Sequence, residues 1–166
     1  LCYKKLSMSK KDSNVLKAKN VLSNKKLLFI YNNFKTQLNS FIKKKKFLVA
    51  VSGGPDSMAL CALSKAYSKE KGNKIYNVLI DHGIRTNSSK EALAVKNILK
   101  KKKINLTILK NKKKINKNIQ SHARQIRYEL LSNFCIKHKI KFIVTAHHRD
   151  DQIETFLIRL SRGSGI

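Results

Sequence analysis

The chain has 166 residues and a formal net charge of +28, with 37 basic residues against nine acidic ones, a length that suits one domain with a real core. No stretch reaches the roughly 18 uncharged apolar residues of a membrane span, and the start lacks a signal-peptide core, so the expectation is a cytoplasmic protein with no membrane partner. Cys2, Cys61 and Cys135 are odd in number and include no Cys-x-x-Cys, which argues against a disulfide framework or a cysteine-rich metal site.

Residues 1–23 are rich in Lys, Ser and Asn and read as a weakly ordered basic leader ahead of a domain over 24–166. From Lys25 to Ile42 the apolar residues recur at three and four, which predicts an amphipathic helix. Strand-like and helical runs then alternate. A strand over Phe47–Val51 leads to a helix from Asp56 to about Ser68, and a strand over Ile75–Ile80 to a helix from about Ser88 to Lys101. A strand over Ile104–Leu109 precedes a long helix from about Asn118 to His138, and a strand over Lys141–Ala146 precedes a last helix over about Asp150–Ser161. This alternation predicts an α/β fold, Rossmann-like, with a mostly parallel sheet between two helical layers and ligands at the carboxyl ends of the strands.

Three motif-like segments follow strands directly. Ser52-Gly53-Gly54-Pro55-Asp56-Ser57 turns the first strand into its helix, where paired glycines let backbone N–H groups converge on an anion at a helix N-terminus. Ser52 and Ser57 add hydroxyls, and Asp56 makes sense beside phosphates when a divalent cation such as Mg²⁺ lies between them. Neither the Walker loop nor the dinucleotide Gly-x-Gly-x-x-Gly spacing is present. Asp81-His82-Gly83-Ile84-Arg85 ends the second strand, where His82 could stack on or hydrogen-bond to a nucleotide. Thr145 to Thr155 packs His147, His148, Asp150, Asp151 and Glu154 into an otherwise acid-poor chain, and Asp151 and Glu154 share a helix face suited to a cation or an ammonium group.

Rare residues collect near these segments. All six arginines fall between Arg85 and Arg162, against 31 lysines spread along the chain. Arg124 and Arg127 lie three apart on a helix, where their rigid forks could hold a phosphate or carboxylate. The lysine runs are compatible with RNA phosphates or with plain solvated faces.

Ser-Gly-Gly-x-Asp-Ser at 52–57 resembles the signature of the PP-loop, or N-type, ATP pyrophosphatases. The ordered set formed with 81–85, 123–128, 145–155 and Arg162-Gly163-Ser164-Gly165 resembles the tRNA(Ile)-lysidine synthase family over about residue 25 to the end. The resemblance implies ATP and Mg²⁺ as cofactors, free L-lysine and a tRNA(Ile) with a CAU anticodon as partners, and allows for a homodimer. It implies adenylation of the wobble cytidine at its C2 oxygen, then attack by the lysine amine, giving lysidine, AMP and pyrophosphate. On this pattern Ser52, Gly53, Gly54, Pro55, Asp56 and Ser57 hold the pyrophosphate, with Asp56 at the metal. Asp81, His82, Gly83, His147 and His148 line the nucleotide site, Asp151 and Glu154 receive the lysine amine, and Arg124 or Arg127 lies near its carboxylate or the RNA. Family members continue well past the Arg-Gly-Ser-Gly segment, so the expectation is an N-terminal catalytic part that binds ATP but modifies tRNA poorly by itself. The alternatives are another adenylating tRNA-modification enzyme such as a thiolase, or an inactive RNA-binding fragment.

Overall fold

A computed structural model of the chain describes residues 24–42, 45–111 and 119–146. The chain divides into two compact units, Leu1–Lys43 and Lys44–Ile166. In the first, helix α1 (Lys25–Phe41) takes up the three-four apolar spacing, and the Asn24 side chain caps it by accepting from the Lys26 N–H at 2.9 Å. The leader and the helix expected over about Asp150–Ser161 lie outside the described residues.

The second unit carries β1 (Phe47–Val51), α2 (Pro55–Lys71), β2 (Ile75–Asp81), α3 (Ser88–Lys101), β3 (Leu106–Lys110), α4 (Ile119–Lys137) and β4 (Ile143–Thr145). Its four strands are parallel in the order β3-β2-β1-β4. The uninterrupted apolar sequence of β1 belongs in the middle of such a sheet, because both of its faces are covered. Leu48 and Ala50 on one face join Tyr76, Val78 and Ile80 of β2, and this layer packs on Leu131, Phe134 and Cys135 of α4. Phe47, on the opposite face, meets Tyr67 of α2 edge-to-face with ring centroids 6.2 Å apart, both side chains fully buried. Helices therefore cover both faces, as expected for an α/β fold.

Helix α2 begins one residue before its predicted start. Pro55, the sole proline, occupies its first turn, where its fixed φ fits and its missing N–H removes no helical bond. Gly72, at φ +74°, closes the other end. Helices α3 and α4 close without glycine. Lys103 (φ +56°) and Lys139 (φ +52°) make the reversal, and the Ile104 and Ile140 N–H groups bond back to Leu99 O at 2.9 Å and Cys135 O at 2.8 Å. Both isoleucines are buried as the apolar residue after the cap, so β3 and β4 each begin two residues later than the hydrophobic pattern predicts. Left-handed strain at a lysine costs roughly 1–2 kcal/mol, and glycine gives back about 0.4–1 kcal/mol through its freer unfolded chain. Lys139→Gly should therefore stabilise by somewhat under about 1 kcal/mol in urea unfolding; a destabilised variant would contradict the cap.

Among the described residues, no helix is long and apolar enough to cross a membrane.

Candidate nucleotide site

Strand order sets where the site falls. From β1 the chain moves outward through β2 to β3, then returns across the sheet to add β4 on the other side of β1. Connections leaving in opposite directions open a crevice at the carboxyl ends of the strands, the usual ligand position in open parallel sheets. The turns after β1 and β2 and the end of β4 border a cleft of about 810 Å³, walled by residues of α3 and α4.

Ser57 organises the turn after β1. Its hydroxyl, 3 % exposed, donates to Gly54 O at 2.9 Å and accepts from Ser52 Oγ and the Gly53 N–H, both at 3.1 Å. The first intrahelical bond, Met58 N–H to Gly54 O, follows at 3.1 Å. The N–H groups of the first turn have no acceptor within the helix, and together with the helix dipole they favour an anion. Gly53 is required twice over. Its φ is +91°, and a Cβ there would lie 3.0 Å from Val95 Cγ2 on α3. Asp56 is exposed in the first turn of α2. Its carboxylate is a hard oxygen donor, which fits a Mg²⁺ held mainly by phosphates and water. Among the described residues, no group of three or more His, Cys, Asp or Glu could hold a metal ion without such phosphates.

The turn after β2 is pinned by Asp81. Its carboxylate accepts from the Gly83 N–H at 3.1 Å and from Ser89 Oγ at 2.6 Å, tying the strand end to the start of α3. Burial works against its charged form, but donors from Ser89, Ser88 and the Gly83 N–H, with the charge of Lys110, hold the carboxyl below its ordinary value. Gly83 adopts φ +65°, which this turn needs. Asp81 thus shapes the cleft wall with both oxygens engaged. His82 differs: among the described residues, neither buried ring nitrogen has a hydrogen-bond partner. Burial, aided by the charge of Arg127 and opposed by Asp81, pushes its pKa down, which favours a neutral ring with one donor and one acceptor.

The two helix arginines part ways. Arg127 is half-buried and lines the cleft, whereas Arg124 is exposed, outside the lining, with its guanidinium carbon 5.8 Å from the centre of the Tyr128 ring. Glu91 and Val95 also line the cleft, although nothing in the sequence singles them out, as does Tyr128, the last residue of the 123–128 segment. Ser88 and Ser89 form the hydrogen-bonding partner set of Asp81; their place just after the 81–85 turn, at a helix start, is the signal that could have found them. His147, His148, Asp151 and Glu154 lie outside the described residues.

A parallel doubly wound sheet with an anion cradle after its first strand defines an α/β nucleotide-binding domain. The chain belongs to the PP-loop domain family, whose profile matches residues 24–166. It is 34 % identical over 143 residues to the tRNA(Ile)-lysidine synthase of Rickettsia typhi, covering 82 % of this chain and 33 % of that protein. It is 41 % identical over 128 residues to the tRNA(Ile)-lysidine synthase of Orientia tsutsugamushi, covering 76 % of this chain and 29 % of that protein. The chain thus spans about a third of the length of these curated relatives. Among solved structures, the U34-tRNA thiolase NcsA of Methanococcus maripaludis superposes with a TM-score of 0.66 at 19 % identity, over 80 % of this chain and 49 % of that one. The NH3-dependent NAD synthetase of Campylobacter jejuni gives 0.55 at 16 % identity, over 76 % and 58 %. At those identities the likeness is one of fold.

Proposed function

We propose that the chain is the ATP-binding, adenylating part of an enzyme that joins lysine to the wobble cytidine of a tRNA(Ile) with a CAU anticodon. The observation that carries this reading is the cradle pinned by Ser57, opening on a large cleft at the switch point of the sheet. In the first step the cytidine C2 oxygen attacks the α-phosphorus of ATP and pyrophosphate leaves. In the second the lysine ε-amine attacks C2, loses a proton, and AMP leaves. The cradle's task is to hold the departing pyrophosphate and stabilise the charge that develops on it, with Mg²⁺ at Asp56 screening the phosphates. Arg127 adds fixed positive charge on the cleft wall, and neutral His82 offers a donor and an acceptor to the nucleotide. Asp151 and Glu154 keep the role of receiving the lysine amine, with His147 and His148 at the nucleotide. No covalent enzyme intermediate is required, since positioning and electrostatics suffice for both displacements.

A sulfur-transfer alternative needs a reactive thiolate. Cys61 and Cys135 are both buried; burial pushes the Cys61 thiol to about 11 and raises that of Cys135. Among the described residues, these two thiols stay protonated and inert at neutral pH, so neither serves sulfur transfer; Cys2 lies outside the described residues.

Mass spectrometry of the wobble cytidine, after incubation of the full-length protein with tRNA, ATP and lysine, tests the reading. A lysine adduct is expected, and a thio mass sinks the proposal. Asp56→Ala should lower adduct formation by at least about a hundredfold, the scale seen when one electrostatic transition-state contact is removed. If the chain were only an RNA-binding module, that substitution would leave its sole activity, RNA binding, intact and no adduct would form with either protein.

A further inference from the structure

Tyr128 has no part in the chemistry above, yet it is 43 % exposed while lining the cleft. A large aromatic side chain held partly open to water beside a cleft is suited to a flat partner. Arg124, one helical turn earlier, lies over its ring at 5.8 Å. Two more apolar residues share the exposed lining, Ile84 at 43 % and Ile119 at 48 % exposure, and Arg85 and Arg127 line the same cleft. Planar aromatic and guanidinium groups among positive charges are how proteins hold unstacked bases of single-stranded nucleic acid.

We infer that Tyr128, steadied by Arg124, is a stacking platform for an unpaired base of the RNA strand entering the cleft. This rests on the proposed RNA substrate and adds a residue that positions it. RNA is favoured over the adenine of ATP because Arg124 lies outside the cleft lining and both side chains are exposed, whereas Ser57, the anchor of the phosphate cradle, is 3 % exposed. The net charge of +28 over the whole chain suits a polyanionic partner. A base stacked there requires its phosphates to run among the arginines, and no reading of its hydrogen-bonding edge by Tyr128.

The test is equilibrium binding of a single-stranded RNA heptamer with the anticodon-loop sequence, carrying 2-aminopurine at each position in turn, to the full-length protein over a range of salt. Calorimetric ATP titration runs in parallel. Tyr128→Ala should weaken RNA binding on the order of tenfold at every salt concentration, shifting the salt plot without changing its slope, and should remove the quenching of one 2-aminopurine. Tyr128→Phe should behave as wild type, because stacking needs only the ring, and ATP affinity should be unchanged in both. Tyr128→Ala binding RNA within twofold of wild type overturns the platform and leaves the function reading intact. A loss of ATP affinity instead assigns the ring to adenine and also overturns it. A wild-type protein that binds no RNA overturns the platform and the reading together.

Discussion

Gly53→Ala is expected to weaken ATP binding by at least tenfold while leaving the sheet folded. The residue sits at φ +91°, where an L side chain costs roughly 1–2 kcal/mol, and its new methyl group would stand 3.0 Å from Val95 Cγ2. The contact is relieved by a shift of the Val95 side chain, of α3 or of the turn, whereas the backbone strain falls on the turn itself. The turn yields first, because Gly53 is held there through one N–H bond to Ser57 Oγ, and that bond is what sets the cradle. Val95→Ala in the same chain removes the contact but not the backbone strain. The double variant should therefore recover only part of the lost affinity by calorimetric titration, with both proteins retaining cooperative thermal unfolding. Wild-type ATP affinity in Gly53→Ala would mean that the turn does not hold the phosphates.

Asp81→Ala should have the largest effect on stability. The carboxylate is 4 % exposed and accepts from Ser89 Oγ and the Gly83 N–H. Hydrogen bonds to a charged group contribute about 1.5–3 kcal/mol, and the donors left behind lose a buried acceptor, so a loss of about 3 kcal/mol is expected in denaturant unfolding. The pH dependence has a definite sign. An unfolded Asp titrates near 3.9 and the folded one lower, so below about pH 4 the unfolded chain takes up the proton first. The contribution of Asp81 is thus fully present above that pH and is lost as pH falls through the folded pKa. Asp81→Asn should flatten this part of the acid-unfolding curve while keeping the side-chain shape. An acid limb as steep as that of wild type would place the titration elsewhere.

Much of this was legible from residue types whose physical requirements are narrow. The helix after β1 was legible to within one residue, read from Asp56 and beginning at Pro55, whose fixed φ suits a first turn. The apolar sequence of β1 read as a strand, and the turn after it read as an anion cradle from two glycines and two serines at that strand's end. Less was legible where the chain departs from common usage. Lysine at the left-handed positions 103 and 139 carries no signal when glycine or asparagine is the usual marker, so the starts of β3 and β4 read two residues early. Helical spacing put Arg124 and Arg127 on one face. Spacing cannot report that the Arg124 side chain lies over Tyr128 instead of joining the cleft wall. Asp81 read as a ligand contact because it ends a strand beside the cradle. That Ser88 and Ser89 engage it is a contact across the turn, for which their place at the predicted start of α3 was the available signal.

The most direct measurement follows the products of ATP labelled at both the α- and the γ-phosphorus, with the full-length protein, tRNA(Ile) and lysine. The expected result is AMP and pyrophosphate in amounts equal to the lysine incorporated, with AMP release dependent on both tRNA and lysine. Release of ADP and inorganic phosphate, or AMP formation indifferent to tRNA, would contradict the assignment of the Ser52–Ser57 cradle to adenylation of the cytidine.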